Sequence, residues 1–572
     1  MTRNVRNKRG TLRYWLVLGA MMTAFGSLAM RAVYLQVLDS DYLQRQGDAR
    51  YLRIVTDNAH RGMILDRNGE PLAVSTPVES VWAYPPTFAD ARAAWRPLLT
   101  LLRLNAKEVA QQLRKHAGRE FMYLKRHIPP DMAERVTALN IPGVYLQREY
   151  RRYYPTGAVS SHVIGFTDID DRGQEGLELA YDDHLRGTPG TRRVLKDLYG
   201  NIVETVEILS LPVPGRDLVI SIDKRIQYLT YRELKSAMQR YGARAATAIV
   251  LDAQSGEVLA LVNQPAFNPN NRANLRSALF RNRAVTDVFE PGSTMKPFTI
   301  AVALESGLFD YNSKIDTTPG RFQVGSKIIH DERNYGLLTL GQVIEKSSNV
   351  GAARIAMALD KERMWSMFRD VGFGEATGSH LPGESSGLLN LPSRWVPTDQ
   401  AHVAFGYGIS VTALQLARAY TALANDGVVM PITLLRRDRA IHGVRVMSAA
   451  TARHIRDMLE LAVSDAGTGT EAQVQHYRVA GKTGTVHKLI AGDYAEDRYV
   501  ASFAGMAPAS HPRLVMVVTV DDPSGSAHFG GQVAAPVFSS VMSDALRLLD
   551  VPPDIPRERL QWAAPADGQS PT

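Results

Sequence analysis

The chain has no cysteine among its 572 residues. That absence removes disulfides, thiolate zinc sites, cysteine nucleophiles and iron–sulfur ligation together. It leaves the redox compartment open. A His-Glu-x-x-His sequence is missing too, and with it the helix-borne zinc hydrolase pattern. Residues 1–31 contain no acid, no second apolar run approaches spanning length, and there is no internal repeat.

What is present is globular in composition, with 45% hydrophobic and 22% charged residues. The length predicts two or three domains, each able to bury its own core. The formal charge is +8, but Arg3, Arg6, Lys8, Arg9, Arg13 and Arg31 supply six of these charges and leave +2 on residues 32–572. That remainder is no footprint for nucleic acid. The expectation is of no nucleic-acid partner.

Seventeen uncharged, mostly apolar residues, Tyr14–Met30, lie between Arg13 and Arg31. As a helix they would rise about 26 Å, at the short end for a bilayer core. Five cations precede them, and Tyr14 and Trp15 sit where an interfacial belt would. The positive-inside rule keeps residues 1–13 cytoplasmic and exports everything downstream. A cleaved signal peptide is the competing reading, but no clean small-x-small site follows the run. The expectation is one uncleaved anchor, 14–30.

Helical spacing of Val33, Tyr34, Val37 and Leu38 predicts a stalk over 31–55. Residues 56–215 are mixed and glycine-rich, with Asp66-Arg67-Asn68-Gly69 reading as a hairpin turn; they are expected to form a structural N-terminal domain. From 216 to 551 the texture changes. A helix is predicted at Arg225–Arg240, then strands at Thr247–Asp252 and Glu257–Asn263, with three further strands at Arg478–Val486, Val500–Ala507 and Arg513–Asp521. Strands at both ends with helices between predict an α/β (α+β) domain whose antiparallel sheet is closed by its two ends. Residues 552–572, rich in proline, alanine and glycine, read as a disordered tail.

Ser-x-x-Lys occurs at Ser221–Lys224 and at Ser293–Lys296, Ser-x-Asn at Ser347–Asn349, and Lys-Thr-Gly at Lys482–Gly484. Ser221 ends a predicted strand and reads as structural. Ser293 follows the turn Glu290-Pro291-Gly292 and opens an apolar helical run, so Lys296 shares its face. A serine needs an adjacent base, and a lysine can serve only if burial and neighbouring cations lower its pKa. Helix-terminal N–H groups could serve an oxyanion. The lesser reading of Ser293 is a helix N-cap. Ser347 and Asn349 fall on a connection after a helix predicted at Leu337–Lys346, where a hydroxyl could relay a proton and an amide could hold a peptide. An N-cap role would need only Ser348 or Asn349. Lys482, Thr483 and Thr485 suit a carboxylate, and Gly484 would let a ligand backbone approach its strand.

In this order the three motifs resemble those of the penicillin-binding proteins and serine β-lactamases. Arg61–Gly69, Tyr154–Phe166 and Gly173–Gly187 resemble the pedestal motifs of class B penicillin-binding proteins. Thr286–Ser293 and Lys346–Gly351 are most similar to the division-specific, FtsI-type penicillin-binding protein 3, and the loop Gly467–Thr470 fits as well. The resemblance runs from the anchor to about residue 550. It implies a transmembrane helix, a mixed pedestal (dimerisation-like) domain at 56–215, and at 216–551 a transpeptidase domain with an antiparallel sheet flanked by helices.

The reaction it implies is D,D-transpeptidation of peptidoglycan stem peptides during septal wall synthesis, without metal or cofactor. Ser293 would attack the D-Ala-D-Ala donor with Lys296 as base, and Ser347, with Lys482, would protonate the leaving D-alanine. Asn349 would hold the substrate amide; Lys482, Thr483 and Thr485 its carboxylate; and the N–H groups of Ser293 and Thr485 the oxyanion. A diamino-acid side chain of a second stem would be the acceptor, and β-lactams would acylate Ser293. Implied partners are an FtsW-type glycosyltransferase and activators of FtsN and FtsQLB type at an inner-membrane septum. The alternatives are an elongation-specific class B transpeptidase and a D,D-carboxypeptidase. A β-lactamase, a catalytically dead scaffold and a β-lactam sensor fit less of the chain.

Overall fold

The computed structural model describes residues 5–39, 52–197, 202–272, 276–490 and 492–555. They form two compact units, and the chain visits each more than once. One comprises Met1–His60, Pro77–Arg151 and Gly187–Pro214; the other comprises Arg61–Thr76, Arg152–Arg186 and Gly215–Thr572. The last segment of the second unit starts at Gly215, and two earlier segments of that unit interleave with the first. Buried charge gives the reason. Arg61, fully buried, donates from Nε to Glu178 Oε2 (2.8 Å) and from Nη1 to Asp182 Oδ1 (2.8 Å), while Arg152 Nε donates to Glu178 Oε1 (2.6 Å). Separating these segments would strand desolvated charges at a cost of several kcal/mol, on the order of 3–5.

In the first unit, helix α1 (Val5–Val33) runs on into a π-turn at Tyr34–Leu38. The stretch Leu12–Leu38, which contains the expected 14–30 span, is long and apolar enough to cross a membrane. Of the expected stalk, 40–51 lie outside the described residues, and its last part is not helical. β1 (Leu52–Asp57) is a strand, as the β-branched run Ile54-Val55-Thr56 favours. A lobe follows, formed by β2 (Pro71–Ala83) from Pro77 onward, α2 (Trp95–Leu102), β3 (Met122–Ile128), α3 (Pro130–Ala138) and β4 (Val144–Tyr153) as far as Arg151, with β2 pairing with both β3 and β4. Its core is built on Phe88, Trp95, Leu98, Leu102 and Val136. β5 (Gly190–Lys196) lies between β1 and β6 (Ile202–Ser210) in a three-stranded sheet.

In the second unit the turn after Ile64–Leu65 is the expected one, with Gly69 at φ +85°. Asp66 Oδ1 accepts from the N–H groups of Asn68 and Glu70, and its Oδ2 from that of Lys224 at the start of α4 (Lys224–Arg240). The antiparallel sheet runs β8 (Val258–Gln264), β7 (Ala245–Asp252), β11 (Leu514–Asp521), β10 (Asp493–Ala507), β9 (Ala480–Ile490). The first strands of the domain thus pair with the last, as expected, with Ala245 opposite Asp521 and Asp252 opposite Leu514.

Every residue of β7 and β8 is buried because both faces are covered. Ala246, Ala248 and Val250 face a core shared with α4 and the last helix, α8 (Ala535–Leu548). Ile249 and Leu251 face a core shared with α5 (Lys296–Ser306), α6 (Asn349–Ala358) and α7 (Ala413–Ala424). The helix expected at Leu337–Lys346 is instead a strand, Leu337–Thr339, followed by a helix, Leu340–Glu345, with Thr339 and Gln342 forming its capping box. The expected tail is tied down at its start, since Asp554 accepts from the N–H groups of Arg478 and Ser510. Residues 556–572 lie outside the described residues.

Candidate active site

Ser293 lies on a 3-10 turn, Gly292–Met295, that feeds α5. In that geometry residues i and i+3 eclipse one another, so Lys296 Nζ comes to 2.9 Å from Ser293 Oγ. The turn is held from three sides. Thr294 Oγ1 donates to the Pro291 carbonyl (2.7 Å), and Tyr420 of α7 donates to the Thr294 carbonyl (3.0 Å). Gly292 has φ +55° and lies so close to Gly406 that a Cβ at Gly406 would sit 2.4 Å from the Gly292 nitrogen.

The second motif reaches the same point from the connection before α6. Ser347 Oγ lies 2.9 Å from Ser293 Oγ and 3.2 Å from Lys296 Nζ, which also donates to Asn349 Oδ1 (2.8 Å) and to the Ser347 carbonyl (2.5 Å). Ser347 has φ +58°, a left-handed conformation costing about 1–3 kcal/mol that the surroundings must hold. Sequence reasoning missed the residue that helps hold it. Asp331 accepts at Oδ1 from the N–H groups of Asn349 (2.6 Å) and Val350 (3.0 Å), and at Oδ2 from Ser348 Oγ (2.6 Å). Ser348 is itself the N-cap, accepting from the Gly351 N–H (2.8 Å). Asp331 belongs to no periodic pattern and reads in sequence as one polar residue of a loop.

The third motif lies on β9, the edge strand of the sheet. Lys482 is buried, and its Nζ donates to Thr483 Oγ1 (3.2 Å), Thr468 Oγ1 (3.4 Å) and the Thr483 carbonyl (3.2 Å). Thr468 and Thr483 share a 2.7 Å hydroxyl contact, so the Gly467–Thr470 loop completes this corner. Thr485 Oγ1 accepts from the Gly530 N–H (2.9 Å). Gly484 has a second reason to be glycine. A Cβ there would lie 2.4 Å from Ser502 Oγ and 3.0 Å from the Pro291 carbonyl, so the glycine makes room for the turn that carries Ser293 and for the neighbouring strand.

Both lysines are depressed. Burial, then the Lys482 charge, pushes Lys296 well below the ordinary lysine range, with Asp331 and Glu332 pulling the other way. Burial alone takes Lys482 down to about 7. Both lysines lie behind a cleft of about 710 Å³ lined by Ser293, Ser347, Asn349, Thr483 and Thr485. Its far wall carries Tyr407, Tyr499 and Phe529. A hydroxyl beside a buried amine whose pKa is depressed, with a second hydroxyl touching both, is equipped for acyl transfer. Ser221 is not. It is buried, and its hydroxyl donates to the carbonyls of Val258 (2.7 Å) and Thr433 (3.2 Å).

Comparison with known proteins agrees with this geometry. Residues 246–543 match the family model of the penicillin binding protein transpeptidase domain, and 56–220 that of the penicillin-binding protein dimerisation domain. The chain is 41% identical over 547 residues to the probable peptidoglycan D,D-transpeptidase PenA of Neisseria gonorrhoeae, covering 95% of this chain and 94% of that protein. It is 39% identical to the peptidoglycan D,D-transpeptidase FtsI of Escherichia coli K12, covering 95% and 92%. The structure of penicillin binding protein 3 from Mycobacterium tuberculosis, complexed with aztreonam, superposes with a TM-score of 0.69 at 29% identity, covering 88% of this chain and 99% of that one. With both domains matched and the relatives aligned over nearly their whole length, the chain belongs to the class B penicillin-binding proteins, of the penicillin-binding protein 3 type.

Proposed function

We propose that the protein is a peptidoglycan D,D-transpeptidase acting through an acyl-enzyme on Ser293, in septal wall synthesis. The observation that carries the reading is the triangle of Ser293 Oγ, Lys296 Nζ and Ser347 Oγ, with sides of 2.9, 2.9 and 3.2 Å around a buried lysine of depressed pKa.

Neutral Lys296 accepts the Ser293 proton as Oγ attacks the carbonyl between the two terminal D-alanines of a stem pentapeptide. The N–H groups of Ser293 and Thr485 receive the developing oxyanion. Asn349 holds the donor amide. Lys482, Thr483 and Thr485 hold the terminal carboxylate, to which a protonated Lys482 adds charge. The C–N bond breaks as Ser347, relaying from Lys296, delivers the proton to the departing D-alanine amine. A diamino-acid side-chain amine of a neighbouring stem then attacks the ester and gives up its proton along the same path; Ser293 regains its hydroxyl and a crosslink remains. A β-lactam enters as donor, and its ring-opened product stays attached to Ser293.

The six cations around α1 orient the chain with its N-terminus in the cytoplasm and its catalytic unit outside the inner membrane. An FtsW-type polymerase and divisome activators are the partners this reading assigns. Fluorescent penicillin followed by intact-protein mass tests the chemistry: wild type gains one adduct and Ser293→Ala none. An adduct on Ser293→Ala sinks the proposal. Depletion tests the septal role, with filaments expected and rounded cells assigning elongation instead.

A further inference from the structure

Six of the chain's eight net positive charges lie in residues 1–31, yet one lobe of the first unit is basic in its own right. Residues 85–140 carry ten lysines and arginines against five acids, a local +5 within a remainder after Arg31 that sums to +2. Much of this charge lies on one face. Positions 96, 99 and 103 fall along one side of α2 and its cap, and Arg92 leads into it from the preceding turn.

Two grooves flank that face. The first, about 500 Å³, places Arg92, Arg96 and Arg103 around a floor of Trp95 and Leu99. The second, about 480 Å³, places Arg96 and Arg135 around Pro97, Leu101 and Leu139. Arg92 lies over the Trp95 ring, 5.7 Å from its centroid. None of these four arginines forms an ion pair among the described residues, whereas Arg126 in the same lobe binds Glu149 bidentately at 3.1 Å. Arg103 is the left-handed cap of α2, at φ +52°. Glycine occupies such a cap without steric cost; here a cation occupies it and points its charge into the groove.

Unpaired guanidinium groups over apolar floors match alternating carboxylate and apolar side chains, because the guanidinium fork is weakly hydrated and shaped for carboxylates. A phosphate polymer would satisfy the cations and leave both floors uncovered. We propose that this face docks an acidic peptide segment of a partner protein, with its carboxylates on Arg92, Arg96, Arg103 and Arg135 and one apolar side chain in each groove. This docking is independent of the chemistry at Ser293.

The test is fluorescence anisotropy with the full-length protein in detergent and a fluorescein-labelled peptide of four Glu-Glu-Leu repeats. Saturable binding is expected, weakened roughly tenfold or more by the combined Arg92→Ala, Arg96→Ala, Arg103→Ala and Arg135→Ala substitutions. Replacing the peptide leucines by glycine is expected to weaken it roughly tenfold as well. Thermal melting followed by circular dichroism reports whether the fourfold variant is folded; if the fold is lost, Arg103→Ala and Arg135→Ala alone are expected to weaken binding roughly threefold each. Equal binding by wild type and variants overturns the proposal, as does equal binding of the glycine peptide. Arginine-dependent binding to phosphatidylglycerol vesicles without peptide binding overturns it in favour of a phosphate surface.

Discussion

Ser221–Lys224 and Ser293–Lys296 share one spacing, and in both places a short strand feeds a helix. At the first site Asp223 caps α4 with its side chain on the Arg225 N–H (3.0 Å), and the lysine turns outward. Lys224 keeps 42% of its side chain exposed and reaches Glu70 at 3.4 Å, while Ser221 is occupied by two backbone carbonyls. At the second site a 3-10 turn replaces the capped start, so the lysine lies under its serine with no carboxylate in contact and a second buried lysine nearby. The motif supplies two functional groups. Burial, turn geometry and the neighbouring cation bring one pair into contact and leave the other apart.

The comparison breaks most visibly at the serines. Ser293→Ala is expected to reduce penicillin acylation by roughly 10⁴-fold or more. Ser221→Ala should leave the acylation rate unchanged and cost about 1–2 kcal/mol in urea melts, because two buried carbonyls lose a donor. An acylation defect in Ser221→Ala would mean that the two sites are not separable. Next come the lysines: Lys296→Ala should slow acylation by about 10²–10⁴-fold, the usual contribution of a positioned base.

Asp331→Asn sharpens the contrast, since it removes both an anchor and a charge. Acylation is expected to fall roughly tenfold, as for other positioning contacts. The Asp331 charge holds the Lys296 pKa up, so its loss moves the rising limb of the pH–rate profile to lower pH. An unmoved limb would limit Asp331 to capping α6. Lys482→Met tests burial itself. With a folded pKa of about 7 against an ordinary 10.5, the unfolded chain binds more protons between those values, so Lys482 adds a rise in wild-type stability with pH across that window. The gap between wild type and the methionine variant should therefore shift in favour of wild type between pH 7 and pH 9 in paired melts. Lys224→Ala is the smallest, expected within about 0.5 kcal/mol of wild type, as for an exposed ion pair.

The three motifs were legible because each is short, local and chemically distinctive, and strands such as β7, β8 and β11 because burial on both faces makes them almost continuously apolar. What escaped were features created by distant parts of the chain. Asp331 meets Asn349 and Val350 only after folding, and Thr468 meets Lys482 across a loop. A second reason for glycine at 484 escaped because Ser502 and Pro291, which crowd its Cβ position, are far away in sequence. The left-handed Ser347 carries no residue-type signal, unlike a glycine.

By itself the sequence determined an N-terminal helix long and apolar enough to cross a membrane, the antiparallel sheet closed by the two ends of its domain, and which side chains could meet over three residues, since hydropathy runs and helical spacing are local. Only the tertiary structure decided which Ser-x-x-Lys brings its two side chains into contact, how the chain is shared between two units, and where four arginines lie without an ion pair among the described residues. Those outcomes depend on desolvation and on partners separated by tens to hundreds of residues, as with Arg61 and Glu178, 117 positions apart.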